Sequence, residues 1–236
     1  MAGETIKTEA VCLSVHPWSR TSHIVRWMTP DGPVTTLVKG AVRPKSAFLG
    51  QYDLNYTCET VYYARARGEL HALRECSPLN ARERLRGSYR ALVLAEYMRA
   101  QVAALAPHGP DATDWFALLE GALDGLADGG REDGAELVRA LLAFELRVLA
   151  LAGLSPEIEA ESGAFVLRGE RQMPVSHEVA RCIRRPADEK NYQILVDAAR
   201  AIGVFYTFHL DSAPEIRRTV LRMISKTEEG TGKQDG

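Results

Sequence analysis

The chain changes its periodicity once, at Ser77-Pro78, and that switch limits what it can fold into. Before it, apolar residues alternate with polar ones. Thr8–Val15, Ile24–Met28, Val34–Val38, Leu54–Tyr63 and Leu70–Cys76 each read as a strand. His16-Pro17, Thr29-Pro30-Asp31-Gly32-Pro33, Lys39–Ser46 and Arg65-Ala66-Arg67-Gly68 separate them as turns. Five short strands in about 75 residues suit a small closed barrel, and the oligonucleotide-binding (OB) barrel is one such solution.

After the switch the period becomes helical. Leu85, Tyr89, Leu92, Val93 and Tyr97 share one face, with Arg82, Arg86 and Arg90 on another. Trp115, Leu119, Leu123 and Leu126 predict a second helix behind Asp111. Residues 135–152 are apolar nearly all round, as in the centre of a bundle. Gly153–Pro174 reads as an irregular excursion with a hairpin around Ala164–Leu167. Ser176 caps a short helix ending before Pro186, Tyr192–Leu210 is a further helix, and Pro214 opens a last one over Glu215–Ser225. The expectation is an α+β protein: an N-terminal five-stranded OB-fold barrel over 1–78, then a mostly α-helical C-terminal domain over 79–226. An irregular, cysteine-free insert falls near 154–174 and a disordered tail over 227–236.

Charge narrows the function. The net charge is −2, so the protein as a whole is not a basic nucleic-acid binder. Residues 1–80 nevertheless hold nine Lys and Arg against seven Asp and Glu. Three of those cations, Lys39, Arg43 and Lys45, fall in one Gly- and Pro-containing segment with Asp31 and Asp53 well outside it. That segment reads either as a phosphate grip or as a solvated turn. Arg20, Arg26, Arg65 and Arg67 would extend a grip, and Tyr56, Tyr62 and Tyr63 would stack on bases where exposed. Tyr62 and Tyr63 face opposite ways on a strand, so one of them packs in the core. The Arg82, Arg86, Arg90 stripe reads as a secondary basic face or as a solvated helix surface.

Catalysis finds little support. GxSxG, P-loop, GxGxxG and HExxH patterns are all missing, and the six histidines are scattered. His177-Glu178 with Cys182 lacks the PCxxC half of a zinc deaminase. No two of Cys12, Cys58, Cys76 and Cys182 are spaced as a zinc half-site, and the first three read as buried strand thiols. No catalytic residue, metal or cofactor is assigned. The polar start Met1-Ala2-Gly3-Glu4-Thr5 is not a signal peptide, no apolar run spans a membrane, and a cytoplasmic protein is expected.

Thr8–Leu13, Ser22-His23-Ile24-Val25, Thr29-Pro30-Asp31-Gly32 and Lys39–Ser46 occur in this order. Leu49-Gly50, Gly68-Glu69-Leu70-His71, Phe144-Glu145-Leu146 and Gly153-Leu154 with Pro156 follow. Together these stretches resemble the RecO family of bacterial recombination mediators of DNA repair, and Lys39–Ser46 is close to that family's KGARRPKS-like run. The resemblance implies an OB barrel on a helical domain. It also implies binding of single- and double-stranded DNA, strand annealing, RecR and the single-strand DNA-binding protein as partners, RecA loading, a nucleoid location and no covalent step. Many family members carry a four-cysteine zinc site after the Gly-Leu-x-Pro element. Here Ser155–Pro174 contains no cysteine, and Phe165, Val166 and Leu167 are the candidates to replace the metal by packing. The alternative function is a protein-interaction adaptor with a vestigial OB barrel and little DNA binding.

Overall fold

The computed structural model describes residues 4–65, 68–129, 133–161, 164–168, 173–210 and 216–225. Its five N-terminal strands are β1 (Thr5–Ser19), β2 (Ser22–Thr29), β3 (Gly32–Val38), β4 (Thr57–Tyr63) and β5 (Leu70–Asn80). They close a barrel in the order β1-β2-β3-β5-β4, with β1 pairing back onto β4. Only β3 and β5 run parallel, Thr35 opposite Leu70 and Leu37 opposite Ala72. This is the expected five-stranded OB-like barrel. The expected domain edge at residue 78 falls inside β5, because Pro78 still pairs with Cys58.

Closure rests on β1. Its first half pairs with β4 from Thr5 to Val11, and its second half pairs with β2 from Val11 to Ser19. Between Cys12 and Ser14 the β1–β2 register shifts by one residue, which bends the strand and reverses its parity. Ala10 and Cys12 face the core before the shift, and Val15 packs against it afterwards. Inside lie Val25, Trp27, Val38, Cys58, Tyr62, Leu73 and Cys76. The Trp27 indole N–H donates to Thr36 Oγ1 at 2.8 Å, so this buried ring carries no orphaned donor.

One compact unit comprises residues 1–83 and 99–123; the other comprises 84–98 and 124–236. Helices α1 (Tyr89–Leu105) and α2 (Ala112–Asp128) therefore each change unit along their length. In the first unit the Arg99 guanidinium donates to Leu13 O, Gly109 N–H donates to Asp31 O (2.9 Å), and Thr113 Oγ1 donates to Pro30 O (3.0 Å). Each bond ties the helical segment 99–123 to a barrel strand or turn.

The second unit contains α3 (Gly134–Leu151), α4 (His177–Arg184), α5 (Tyr192–His209) and α6 (Ile216–Ser225). Asp133, Ser176 and Asn191 cap α3, α4 and α5 by accepting backbone N–H groups of the first turn. Segment 154–174, expected to be irregular, holds most of a three-stranded antiparallel sheet: β6 (Glu157–Glu161), β7 (Ala164–Arg168) and β8 (Met173–Val175). Ile158 sits half-buried between exposed Glu157 and Glu159, a one-sided strand pattern, while Val166 and Leu167 are buried. Pro214 and the tail from 227 onward lie outside the described residues. No helix among the described residues is long and apolar enough to cross a membrane.

Candidate nucleic-acid interface

The chain leaves the barrel at Val38 and returns at Thr57. Gly40 takes the left-handed conformation (φ 68°) that turns it away from β3. Arg43 N–H then donates to Gly40 O at 3.1 Å, and Ser46 N–H to Arg43 O at 2.9 Å, giving consecutive tight turns. Ala41 is buried and anchors the loop in the barrel core. Two further bonds lash the loop to the β1–β2 turn: Gly40 N–H to Ser22 Oγ (3.3 Å) and Val42 N–H to Thr21 O (3.4 Å). Arg20 belongs to that same turn.

Lys39, Arg43, Lys45 and Arg20 are all exposed. None of them is joined to a carboxylate among the described residues, whereas Lys7 on β1 pairs with Glu59 at 2.9 Å. Four unneutralised cations are thus held on two short segments that are hydrogen-bonded to one another. Such a surface attracts polyanion backbone without regard to sequence.

The remaining predicted cations divide. Arg26 is half-buried and its guanidinium donates to Ala103 O at 3.3 Å, a packing role. Arg65 is exposed, with its backbone N–H on His71 Nδ1 at 3.2 Å; Arg67 lies outside the described residues. The Arg82, Arg86, Arg90 stripe is corrected. Arg82 is buried with left-handed φ (45°), donates to Asn55 O (2.8 Å) and Thr57 Oγ1 (2.9 Å), and faces Glu120 at 3.8 Å. Arg86 stands in a 3₁₀ segment (Glu83–Gly87) and Arg90 at the start of α1, so the three share no single helix face. Charge spacing alone did not reveal that Arg82 satisfies a carbonyl just before β4 and a hydroxyl at its start.

Among the tyrosines, Tyr62 is buried and stacks on His71 (centroids 5.4 Å apart), Tyr56 is half-buried, and Tyr63 is exposed beneath the Arg74 guanidinium. Sequence reasoning passed over Trp18, which is 61% exposed at the end of β1. Strict alternation from Cys12 would point Trp18 inward, but the β1–β2 register shifts after Cys12 and again between Pro17 and Ser19, and His16–Ser19 are all exposed. A bulge position is legible only once the pairing is known.

The His177 and Cys182 pair does not form a site. His177 is exposed with its ring against Phe165, while Cys182 is buried and its thiol is pushed up to about 11 by burial and then Glu189. No group of three or more His, Cys, Asp or Glu among the described residues is placed to hold a metal, and the cysteine donor set of a zinc site is missing from 155–174. A cavity of about 420 Å³ in the second unit is lined by Leu146, Ala150, Ile158 and Ile183 with Arg147 and Arg184, and offers no acid–base pair.

Comparison with known proteins agrees with this architecture. Residues 1–82 match the family described as "Recombination protein O N terminal" and residues 86–218 match "Recombination protein O C terminal". The chain is 32% identical over 155 residues to the DNA repair protein RecO of Rhodopirellula baltica, covering 62% of this chain and 53% of that protein. It is 27% identical over 158 residues to the DNA repair protein RecO of Roseiflexus sp., covering 67% and 53%. With the DNA repair protein RecO of Alkaliphilus metalliredigens it shares 28% over 155 residues, covering 65% and 60%. The chain thus matches about half the length of the first of these curated relatives. The barrel, its strand order and the two consecutive family matches together establish that the chain belongs to the recombination protein O (RecO) family.

Proposed function

We propose that this protein is a non-enzymatic DNA-binding recombination mediator in DNA repair. It anneals single strands and helps load the recombinase onto strands coated by the single-strand DNA-binding protein. The observation that carries this reading is the cluster Arg20, Lys39, Arg43 and Lys45, exposed and without carboxylate partners among the described residues, on two lashed segments of an OB-like barrel. Family membership supports it, since the matched relatives are named DNA repair proteins. DNA, RecR and the single-strand DNA-binding protein are the proposed partners, and the cytoplasm, at the nucleoid, is the proposed location.

The physical logic is charge neutralisation. Two complementary strands repel one another, and a cationic surface that grips only phosphates lowers that repulsion while leaving base edges free to pair. With a net charge of −2 the rest of the molecule does not add to the attraction, so binding is confined to one face and sensitive to salt.

The test replaces Lys39, Arg43 and Lys45 by Glu and measures oligonucleotide affinity against salt. Losing about three phosphate contacts should flatten the log–log salt slope for a single strand by about 2. An unchanged affinity and slope would remove the loop from the binding site and leave the adaptor reading in its place.

A further inference from the structure

We propose that Trp18 is a base-stacking platform that gives the cationic face a preference for unpaired strands. The proposal rests on the reading of the Arg20 and Lys39–Lys45 cluster as a DNA-backbone contact, and it adds a property that cations alone cannot supply.

Three observations converge on Trp18. The other two tryptophans, Trp27 and Trp115, are 1% and 3% exposed, whereas Trp18 is 61% exposed. Leaving the largest apolar side chain in water forfeits its burial, so its position invites a ligand that covers it. The backbone is built to present it: β1–β2 pairing goes from Pro17 opposite His23 to Ser19 opposite Ser22, with a register shift between them at Trp18. Such a bulge takes one residue out of the ladder and re-aims its side chain. Finally, the turn that follows Trp18 carries Arg20, Thr21 and Ser22, and Thr21 and Ser22 accept the hydrogen bonds that hold Gly40 and Val42 of the cationic loop. The indole and the four cations therefore sit on one pair of joined segments. Val42, also exposed, adds apolar surface to the same loop.

An exposed indole beside phosphate-binding cations has a specific use with nucleic acid. In a duplex the base faces are already stacked on each other and only the backbone is offered. In a single strand each base has a free π-face, which stacks on an aromatic ring whatever its sequence. The cations hold both forms; Trp18 holds only the second. The preference is independent of sequence, as an annealing surface requires.

Trp18 is also the reporter. Titrating the full chain with an oligothymidylate should quench its tryptophan emission, because the two other indoles are buried, and Trp18→Phe should remove most of that change. Trp18→Ala should weaken oligothymidylate binding by about tenfold. Its affinity for a duplex, and for an abasic deoxyribose-phosphate chain of equal length, should stay within about twofold of the parent's, with the salt slope preserved. Absence of quenching, or an equal loss on all three ligands, overturns the proposal. If the Lys39, Arg43, Lys45 charge reversal leaves affinity intact while Trp18→Ala still loses oligothymidylate selectively, stacking stands and the loop reading falls.

Discussion

The guanidinium of Arg217 occupies the space that a side chain at position 203 would need. A Cβ built on Gly203 collides with Nη1, Cζ and Nη2 of Arg217. The group cannot swing aside freely, since its Nε donates to Glu145 Oε1 (2.6 Å) and its Nη2 to Glu145 Oε2 (2.9 Å) and Ala199 O (2.9 Å). Tyr97, whose hydroxyl is held protonated by burial and then by Glu145, donates to the same carboxylate at 2.5 Å.

Gly203→Ala should therefore destabilise the protein by about 3 kcal/mol, because relieving the clash breaks a buried ion pair. Arg217→Met should cost about 3–5 kcal/mol by leaving the Glu145 carboxylate uncompensated. Both changes damage the same contact. Urea unfolding of the double variant should show little more loss than Arg217→Met alone, and simple additivity would refute the shared mechanism.

Arg82→Met tests the corrected reading of that side chain. Removing it orphans the Asn55 carbonyl and strips Thr57 Oγ1 of a donor inside the barrel unit. The expected cost is about 2–4 kcal/mol in a urea melt. Oligonucleotide affinity of the folded variant should stay within about twofold, while a large affinity loss at full foldedness would return Arg82 to the binding surface.

Thiol chemistry should be slow. All four cysteines are buried. Burial first, then Cys58, pushes the Cys12 thiol up; a hydrogen bond with Cys58, then burial, pushes Cys76 up. At mildly alkaline pH an aromatic disulfide reagent should modify the native protein only as fast as it opens, and all four thiols at once in denaturant. A thiol that reacts immediately in the native protein contradicts this burial.

His71 should make stability fall on acidification. Burial first, then Arg65, lowers its pKa below 6.5. Its Nδ1 accepts the Arg65 N–H, which requires that nitrogen unprotonated. As pH falls through about 6.5 the unfolded chain takes up the proton before the folded one, so this contribution is complete above 6.5 and is lost progressively below it. Urea midpoints measured on both sides of that pH should show the decline, and His71→Gln should flatten it.

Which of these features could be read from the chain alone depends on sequence distance. The barrel strands were legible because alternation is local, and the Lys39–Lys45 cluster because nothing acidic adjoins it. The two register shifts in β1, after Cys12 and at Trp18, were not legible, since a bulge is a property of two strands, and the exposed end of β1 that carries Trp18 was lost with them. Arg82 and Arg26 looked like surface charge because composition carries no burial. Glu145 joins Tyr97 and Arg217 across 48 and 72 residues, beyond any periodicity. The β6–β8 sheet did show its pattern in Glu157-Ile158-Glu159, but over too few residues to outweigh the surrounding turns.

The two family matches meet between residues 82 and 86, yet the compact units exchange chain at 84, 99 and 124. Inherited modules and physical units are therefore cut in different places. A fragment ending at 83 would carry every barrel strand but lack Arg99, whose guanidinium reaches Leu13 O, and the Gly109 and Thr113 bonds to the β2–β3 turn. During synthesis the strands can pair as soon as β5 emerges, but the barrel unit waits for some forty further residues to complete its contacts. Ribosomal order, rather than strand order, then sets when the barrel unit becomes rigid.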